Sequence, residues 1–269
     1  MLAEAEGRLG LLRMVLDRRD EGTEMGTFLP HKVTGTSAWL YVTLALLALS
    51  AASAIEPALA HGIGGKDAAF VAATKEADIL PFMYLGAKHM FTGYDHLLFL
   101  LGVIFFLYRM RDIAIYVTLF SIGHSITLLA GVLMEINVSA YLIDAIIGLS
   151  VVYKAFDNLN GFKTVFGVQP DNRIAVAGFG LIHGFGLATK LQALQLNENG
   201  LVTNMIGFNI GVELGQIFAL SLILAVMVLW RKTSSFNRLA AATNVLIMIA
   251  GFMLMEYQLA GYFLGLPVI

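Results

Sequence analysis

The sequence has no cysteine among its 269 residues and little charge of either sign, since Asp, Glu, Lys and Arg together make up 13%. The absence of cysteine excludes disulfides, thiolate metal sites and thiol catalysis. A formal net charge of −2 leaves no basic surface for nucleic acid, so no nucleic-acid partner is expected. Hydrophobic residues make up 58% of the chain, which predicts that a lipid bilayer surrounds most of it.

The first 60 residues have the pattern of an export signal. An apolar run at 39–55 follows two basic residues, and the Ala-Leu-Ala tripeptide at 58–60 matches the A-x-A pattern that signal peptidase reads. We expect residues 1–60 to be a signal peptide with an upstream extension, translated in full or from Met25. The alternative is an uncleaved anchor helix. Cleavage would make His61 the new N-terminus, where its amine and imidazole could chelate a metal ion.

Six apolar segments follow, each close to the roughly 20 residues that cross the hydrocarbon of a bilayer. The sequence therefore predicts an all-α fold, a polytopic bundle of about six transmembrane helices. The predicted membrane domain covers 84–265, and a short exported segment at 61–83 precedes it. The predicted spans are 84–107, 113–134, 138–156, 174–190, 202–229 and 239–263.

The basic residues between these spans are distributed unevenly. They concentrate in the loops after the first, third and fifth spans, whereas the loops on the other side contribute only Lys190. Because loops rich in Lys and Arg remain in the cytoplasm, we expect a multi-pass protein of the bacterial inner membrane with both mature termini outside. The basic residues on the cytoplasmic side are Arg109, Arg111, Lys154, Lys163, Arg173, Arg231, Lys232 and Arg238.

Polar and ionisable residues recur inside the predicted spans. Such residues are costly in hydrocarbon, and they usually mark a binding site or a pathway. The helical rise predicts that three histidines and one glutamate lie near mid-depth, and that one histidine and one aspartate lie nearer the outside. The mid-depth residues are His96, His124, His183 and Glu213. The outer residues are His89 and Asp144.

Spacing along each helix relates several of these side chains. His89 and His96 are seven residues apart and share a face, as two stations of one path would. Ser121 and Ser125 place hydroxyls beside His124 on the second span. The fifth span has glycine at every fourth position from 207 to 215, which predicts close helix packing.

The opposite face of the fifth span carries Asn209 and Glu213, and Gln216 lies on the same span. Glu213 is a candidate metal ligand, and Asn209 and Gln216 are candidates for the pathway or for supporting the ligands. Imidazoles and carboxylates without thiolate suit Ni²⁺, Co²⁺, Zn²⁺ or Fe²⁺ better than Cu⁺. A functional metal or proton site is one interpretation of the set. The other is that each histidine only forms a hydrogen bond between helices.

Four segments resemble the HupE/UreJ family: HMFTGYDH at 89–96, FSIGHS at 120–125, IHGFG at 182–186 and FNIGVELGQ at 208–216. Met90 stands where many members have proline, which indicates a second branch of the family. The resemblance implies a nickel or cobalt permease associated with a nickel-enzyme maturation system. It also implies that His89, Asp95 and His96 are the principal metal-handling residues, and nickel is the metal that it favours.

Two classes of function use these residues. In a permease, His89 and Asp144 would capture the metal ion and pass it to His96, His124, His183 and Glu213, while Asp95 would orient His96. In an intramembrane metal-dependent enzyme of the zinc hydrolase type, three imidazoles would hold the metal and a carboxylate would activate water. An accessory protein without transport activity is a third reading. We expect the permease.

Overall fold

Helices are the only regular structure in the residues that the structure, a computed structural model, describes: 65–74, 76–192 and 199–266. The all-α prediction is therefore confirmed. The predicted signal peptide at 1–60 and the candidate ligand His61 lie outside the described residues. In these ranges the helices are α1 Gly65–Ala73, α2 Ile79–Thr92, α3 Tyr94–Ile104, α4 Met110–Leu133, α5 Ala140–Asn158, α6 Gly161–Phe166, α7 Asn172–Gln192, α8 Leu201–Trp230 and α9 Ser234–Leu264.

Four of these helices, α4, α7, α8 and α9, are long and apolar enough to cross a membrane. The fifth predicted span, 202–229, differs from α8 by one residue at each end. Helix α5 begins and ends two residues after the bounds predicted for the third span, and it includes the charged residues Asp144, Lys154 and Asp157. The fold is a helical membrane bundle with four candidate spans among the described residues, and the predicted total of six stays a prediction.

The first predicted span is divided at Gly93 into α2 and α3. Gly93 has an extended backbone, with φ −71° and ψ 100°, and its N–H donates to the carbonyl of His89. A Cβ built on Gly93 would lie 2.6 Å from Nδ1 of His96 and 3.1 Å from Oδ1 of Asp95. A side chain at this break would therefore displace the His96 ring from Asp95. Hydropathy does not detect the break because a glycine inside an apolar run is equally compatible with a continuous helix.

Glycines bring the helices together in three closely packed pairs: α2 with α8, α4 with α7, and α5 with α9. In the first pair, Gly207, Gly211 and Gly215 face the backbone of α2 so closely that a Cβ at each would overlap it. The packing predicted from their four-residue spacing is thus confirmed. Helix–helix contact in lipid depends on such close approach, since no hydrophobic effect drives it.

The short helix α3 lies among these pairs, and Arg231 at the end of α8 anchors its C-terminus. The Arg231 guanidinium donates to the carbonyls of Phe105 and Leu107, both at 2.9 Å, and to that of Ile104. The helix ends at Ile104, so the carbonyls of Phe105 and Leu107 lack the partners of a continuing helix, whereas that of Ile104 also accepts the Leu107 N–H at 3.0 Å. We call the side of the bundle where α8 ends and α9 begins the α8–α9 end. The opposite side, where α7 ends and α8 begins, is the α7–α8 end.

Candidate metal-handling site

Four imidazoles from four different helices meet inside the bundle. The ring centroid of His96 on α3 lies 5.2 Å from that of His89, 5.3 Å from that of His183 and 6.4 Å from that of His124. His89 belongs to α2, His124 to α4 and His183 to α7. We call these four residues the histidine cluster. His96 is its centre because its ring neighbours the other three.

The position of His89 differs from the sequence prediction, which placed it two turns outward from His96. On a straight helix seven residues span about 10 Å, but the two rings are separated by only 5.2 Å. The reason is the break at Gly93, which ends α2 before His96 and turns the chain between the two residues. His89 is thus a member of the cluster and not a separate outer station.

Five ring nitrogens of the cluster are buried and have no hydrogen-bond partner within the protein. Three of them are Nε2 of His89, His96 and His183, and the other two are Nδ1 and Nε2 of His124. Buried polar atoms are nearly always paired, so each exception requires a physical explanation such as an ion or a water molecule. Five such atoms in one cluster indicate a site for a shared ligand.

Hydrogen bonds orient two of these rings. Asp95 Oδ1 lies 2.8 Å from Nδ1 of His96 and also accepts the His96 backbone N–H at 2.9 Å. Nδ1 of His183 lies 2.8 Å from the carbonyl of Phe179. A carbonyl or carboxylate oxygen can only accept, so each Nδ1 carries a proton, and in the neutral ring Nε2 then keeps its lone pair. This tautomer suits metal ligation, where the second nitrogen is held by an oxygen acceptor.

Three phenylalanines cover the cluster on the side facing the α8–α9 end. Phe99 follows His96 by three residues, while Phe120 and Phe179 precede His124 and His183 by four, so each lies one turn from its histidine. The Phe99 ring lies 5.2 Å from that of Phe120 and 6.0 Å from that of Phe179. We call them the phenylalanine layer. The layer was not predicted from the sequence, although a phenylalanine one turn from a histidine on the first, second and fourth spans would have indicated it.

Helices α4 and α8 are linked by the polar residues predicted for the second and fifth spans. Ser121 Oγ donates to Oε1 of Gln216 at 2.7 Å, and Ser125 Oγ lies 3.4 Å from Oε1 of Glu213. Glu213 is exposed on the surface of the isolated chain. Asn209 Oδ1 and Gln216 Nε2 are buried without a partner in the protein. Glu213 therefore contacts the hydroxyl of Ser125, the residue that follows His124.

Asp144 forms an ion pair that was not predicted from the sequence. Its Oδ2 lies 2.7 Å from Nζ of Lys190, and the two side chains are only 11% and 12% exposed. Lys190 was assigned to an outer loop, but it lies in the last turn of α7. Its spacing of seven residues from His183 could have revealed that both share one face of α7.

No group of three or more His, Asp or Glu side chains in the described ranges is arranged to hold a metal ion as it stands. The ligand set named from the sequence, including Glu213 and Asp144, therefore stays a prediction. What the structure does bring together is the four imidazoles with Asp95. Two imidazoles on one tetrahedral ion with metal–nitrogen bonds of about 2.0–2.1 Å have ring centroids about 5 Å apart. The separations of 5.2 and 5.3 Å are close to that value.

Comparison with known proteins adds one finding. A family model described as HupE / UreJ protein matches residues 65–265, which includes the histidine cluster, the phenylalanine layer and every helix described above. No curated protein matches the chain. No solved structure matches it either. The family match extends over more than half of the sequence and agrees with the motifs at 89–96, 120–125, 182–186 and 208–216. The chain therefore belongs to the HupE/UreJ family of membrane proteins, whose role is a metal-related accessory or transport function.

Proposed function

We propose that this protein is a permease for a divalent transition-metal ion, with nickel or cobalt as its substrate, and that the histidine cluster is the site through which the ion passes. The observation that carries the proposal is the set of five unpaired ring nitrogens on four helices. Neutral imidazole nitrogens are good ligands for nickel, cobalt, zinc and iron in the divalent state. Family membership supports a metal as the ligand.

Each residue of the site has a role that follows from its contacts. His96 is central and is oriented by Asp95, so it would bind the ion at every stage of transfer. The ring centroids of His89 and His183 lie 5.2 and 5.3 Å from that of His96, and each of these rings would share the ion with His96. The ring centroid of His124 lies 6.4 Å from that of His96, so His124 would bind the ion after a small movement of its ring. Transfer between neighbouring imidazoles allows the ion to be released, which a single rigid cage would oppose.

The remaining polar residues offer oxygen atoms beside the imidazoles. Ser125 follows His124 on α4 and contacts Glu213 on α8, and Ser121 with Gln216 continues this polar contact along the two helices. Asn209 adds a buried carbonyl oxygen on α8. We assign these residues to the pathway or to the support of the ligands. The phenylalanine layer would separate the site from the α8–α9 end until the helices move.

Uptake of radioactive nickel into proteoliposomes tests the proposal. We expect saturable accumulation with the purified protein and none with protein-free liposomes, with competition by cobalt. The matched control is Asn244→Ala, which removes a fully buried polar side chain bonded to Asn158, outside the cluster. Bound metal without any flux, together with metal-dependent turnover of a lipid or peptide, would instead identify an intramembrane enzyme.

Substitution of Gly93 by alanine tests the geometry of the break. The new methyl group would lie 2.6 Å from Nδ1 of His96, so the ring must leave Asp95. Because loss of such an oriented partner typically costs about 10–100-fold in metal affinity or activity, we expect nickel uptake to fall by at least about tenfold. Gly178→Ala is the control, because a Cβ there meets no atom within 4 Å. Equal uptake by both variants would contradict the prediction.

A further inference from the structure

The ion pair of Lys190 and Asp144 lies close to the histidine cluster and is not used by the proposed transfer. Lys190 follows His183 by seven residues on α7, which is two turns or about 10 Å toward the α7–α8 end. The charge of Lys190 acts on His89, and Asp144 interacts electrostatically with Asp95 and His96. The pair therefore lies on the α7–α8 side of the cluster and belongs to the same electrostatic environment.

Between His183 and Lys190, the same face of α7 carries a glycine. Gly186 is three residues from His183 and four from Lys190. A Cβ at Gly186 would lie 3.3 Å from Oδ1 of Asp144 and 3.0 Å from Cγ2 of Ile143, so Oδ1 lies against the α7 backbone at a position without a side chain. The Lys190 ammonium contacts the other oxygen, Oδ2. One carboxylate oxygen thus holds a cation while the second faces a position without a side chain.

We propose that Lys190 is a tethered cation that neutralises Asp144 before the metal ion arrives and is displaced from the carboxylate when the ion binds there. This inference rests on the proposed permease function and adds a residue that sets its apparent affinity. A mostly buried carboxylate without a partner would be costly, and the flexible lysine provides the partner. The displaced ammonium remains favourable in the last turn of α7, where the helix dipole attracts positive charge.

Kinetics of nickel uptake with Lys190→Met test the inference. We expect KM to fall about tenfold, equivalent to about 1.4 kcal/mol, because the ion no longer competes with the ammonium for Asp144. Asp144→Asn is expected to raise KM, and the double variant should resemble Asp144→Asn, because competition between the ammonium and the ion requires that carboxylate. The control is Lys88→Met, which breaks the exposed pair of Lys88 with Asp67 and should leave KM within about twofold.

A second measurement uses the unaltered protein, so it does not depend on whether a variant folds. The rate at which an amine-reactive acetylating reagent modifies Lys190 is followed by mass spectrometry with and without saturating nickel, relative to the exposed Lys232. We expect nickel to increase the modification of Lys190 several-fold and to leave Lys232 unchanged. A lysine that only joins α5 to α7 would show the same rate in both conditions.

The outcomes separate the two proposals. Saturable nickel flux with an unchanged or raised KM in Lys190→Met and a constant acetylation rate would overturn the displacement and leave the permease intact. Absence of nickel flux in the unaltered protein would overturn the permease and the displacement together. A lower KM in Lys190→Met that is lost in the double variant, or faster acetylation with nickel, supports displacement. A lower KM that persists in the double variant, with a constant acetylation rate, overturns it.

Discussion

Nickel uptake is expected to be lost, by more than about a hundredfold, when His96 is replaced by alanine. This exceeds the usual cost of losing an outer-shell partner, which is about 10–100-fold, because His96 is the ring that neighbours the other three. Its removal separates His89 from His183 and leaves no imidazole between them. The measurement is initial uptake in proteoliposomes at matched protein content.

Loss of uptake must be distinguished from loss of the fold. His96→Gln keeps most of the side-chain volume while removing the imidazole, and it is expected to be as inactive as His96→Ala. Both variants should keep their helix content, because the three glycine-packed helix pairs do not include α3. Asn244→Ala, which also removes a buried hydrogen-bonding side chain, should retain uptake. Uptake by either His96 variant within about twofold of the unaltered protein would contradict the role of His96.

Alanine at Gly180 is expected to lower the free energy of unfolding by about 1–3 kcal/mol, the typical cost of overpacking. The new Cβ would overlap the carbonyl oxygen of Phe120 and would lie 2.9 Å from its Cα, so α4 and α7 must separate. Because α4 carries His124 and α7 carries His183, the same separation would reduce nickel uptake. Equilibrium unfolding in mixed micelles, followed by circular dichroism, measures the effect on stability.

Gly178 provides the matched comparison, two residues away on the same helix. A Cβ at Gly178 meets no atom within 4 Å, so alanine there retains only its higher helix propensity. Relative to glycine this advantage is roughly 0.5–1 kcal/mol. The two variants are thus expected to change stability in opposite directions. Similar shifts for both would show that helix packing at Gly180 is looser than the structure indicates.

Hydropathy and residue spacing predicted much of this fold. Apolar runs placed α8 within one residue at both ends, because a helix crossing lipid requires an uninterrupted apolar segment. The glycine repeat from 207 to 215 predicted the face that packs against α2, since small residues at four-residue spacing form one continuous stripe. Both features depend on local sequence, and local sequence was sufficient to find them.

The arrangement of the site depended on contacts between helices. Its four histidines were all named from the sequence, but the break at Gly93 changes the distance between His89 and His96, and no apolar pattern records it. Asp144 and Lys190 are 46 positions apart and lie on different helices, so spacing within one helix could not predict their ion pair. Depth along a span likewise placed Glu213 beside the imidazoles but did not indicate which direction its carboxylate faces.

The central proposal is that the four imidazoles bind the transported ion, and X-ray absorption spectroscopy of the nickel-loaded, purified protein tests it most directly. Imidazole rings bound to nickel produce a characteristic outer-shell scattering pattern that oxygen ligands do not. We predict scattering from at least two imidazoles in the unaltered protein and a clear reduction in His96→Gln. A nickel shell composed only of oxygen atoms, or an imidazole signal unchanged by His96→Gln, would contradict the proposal.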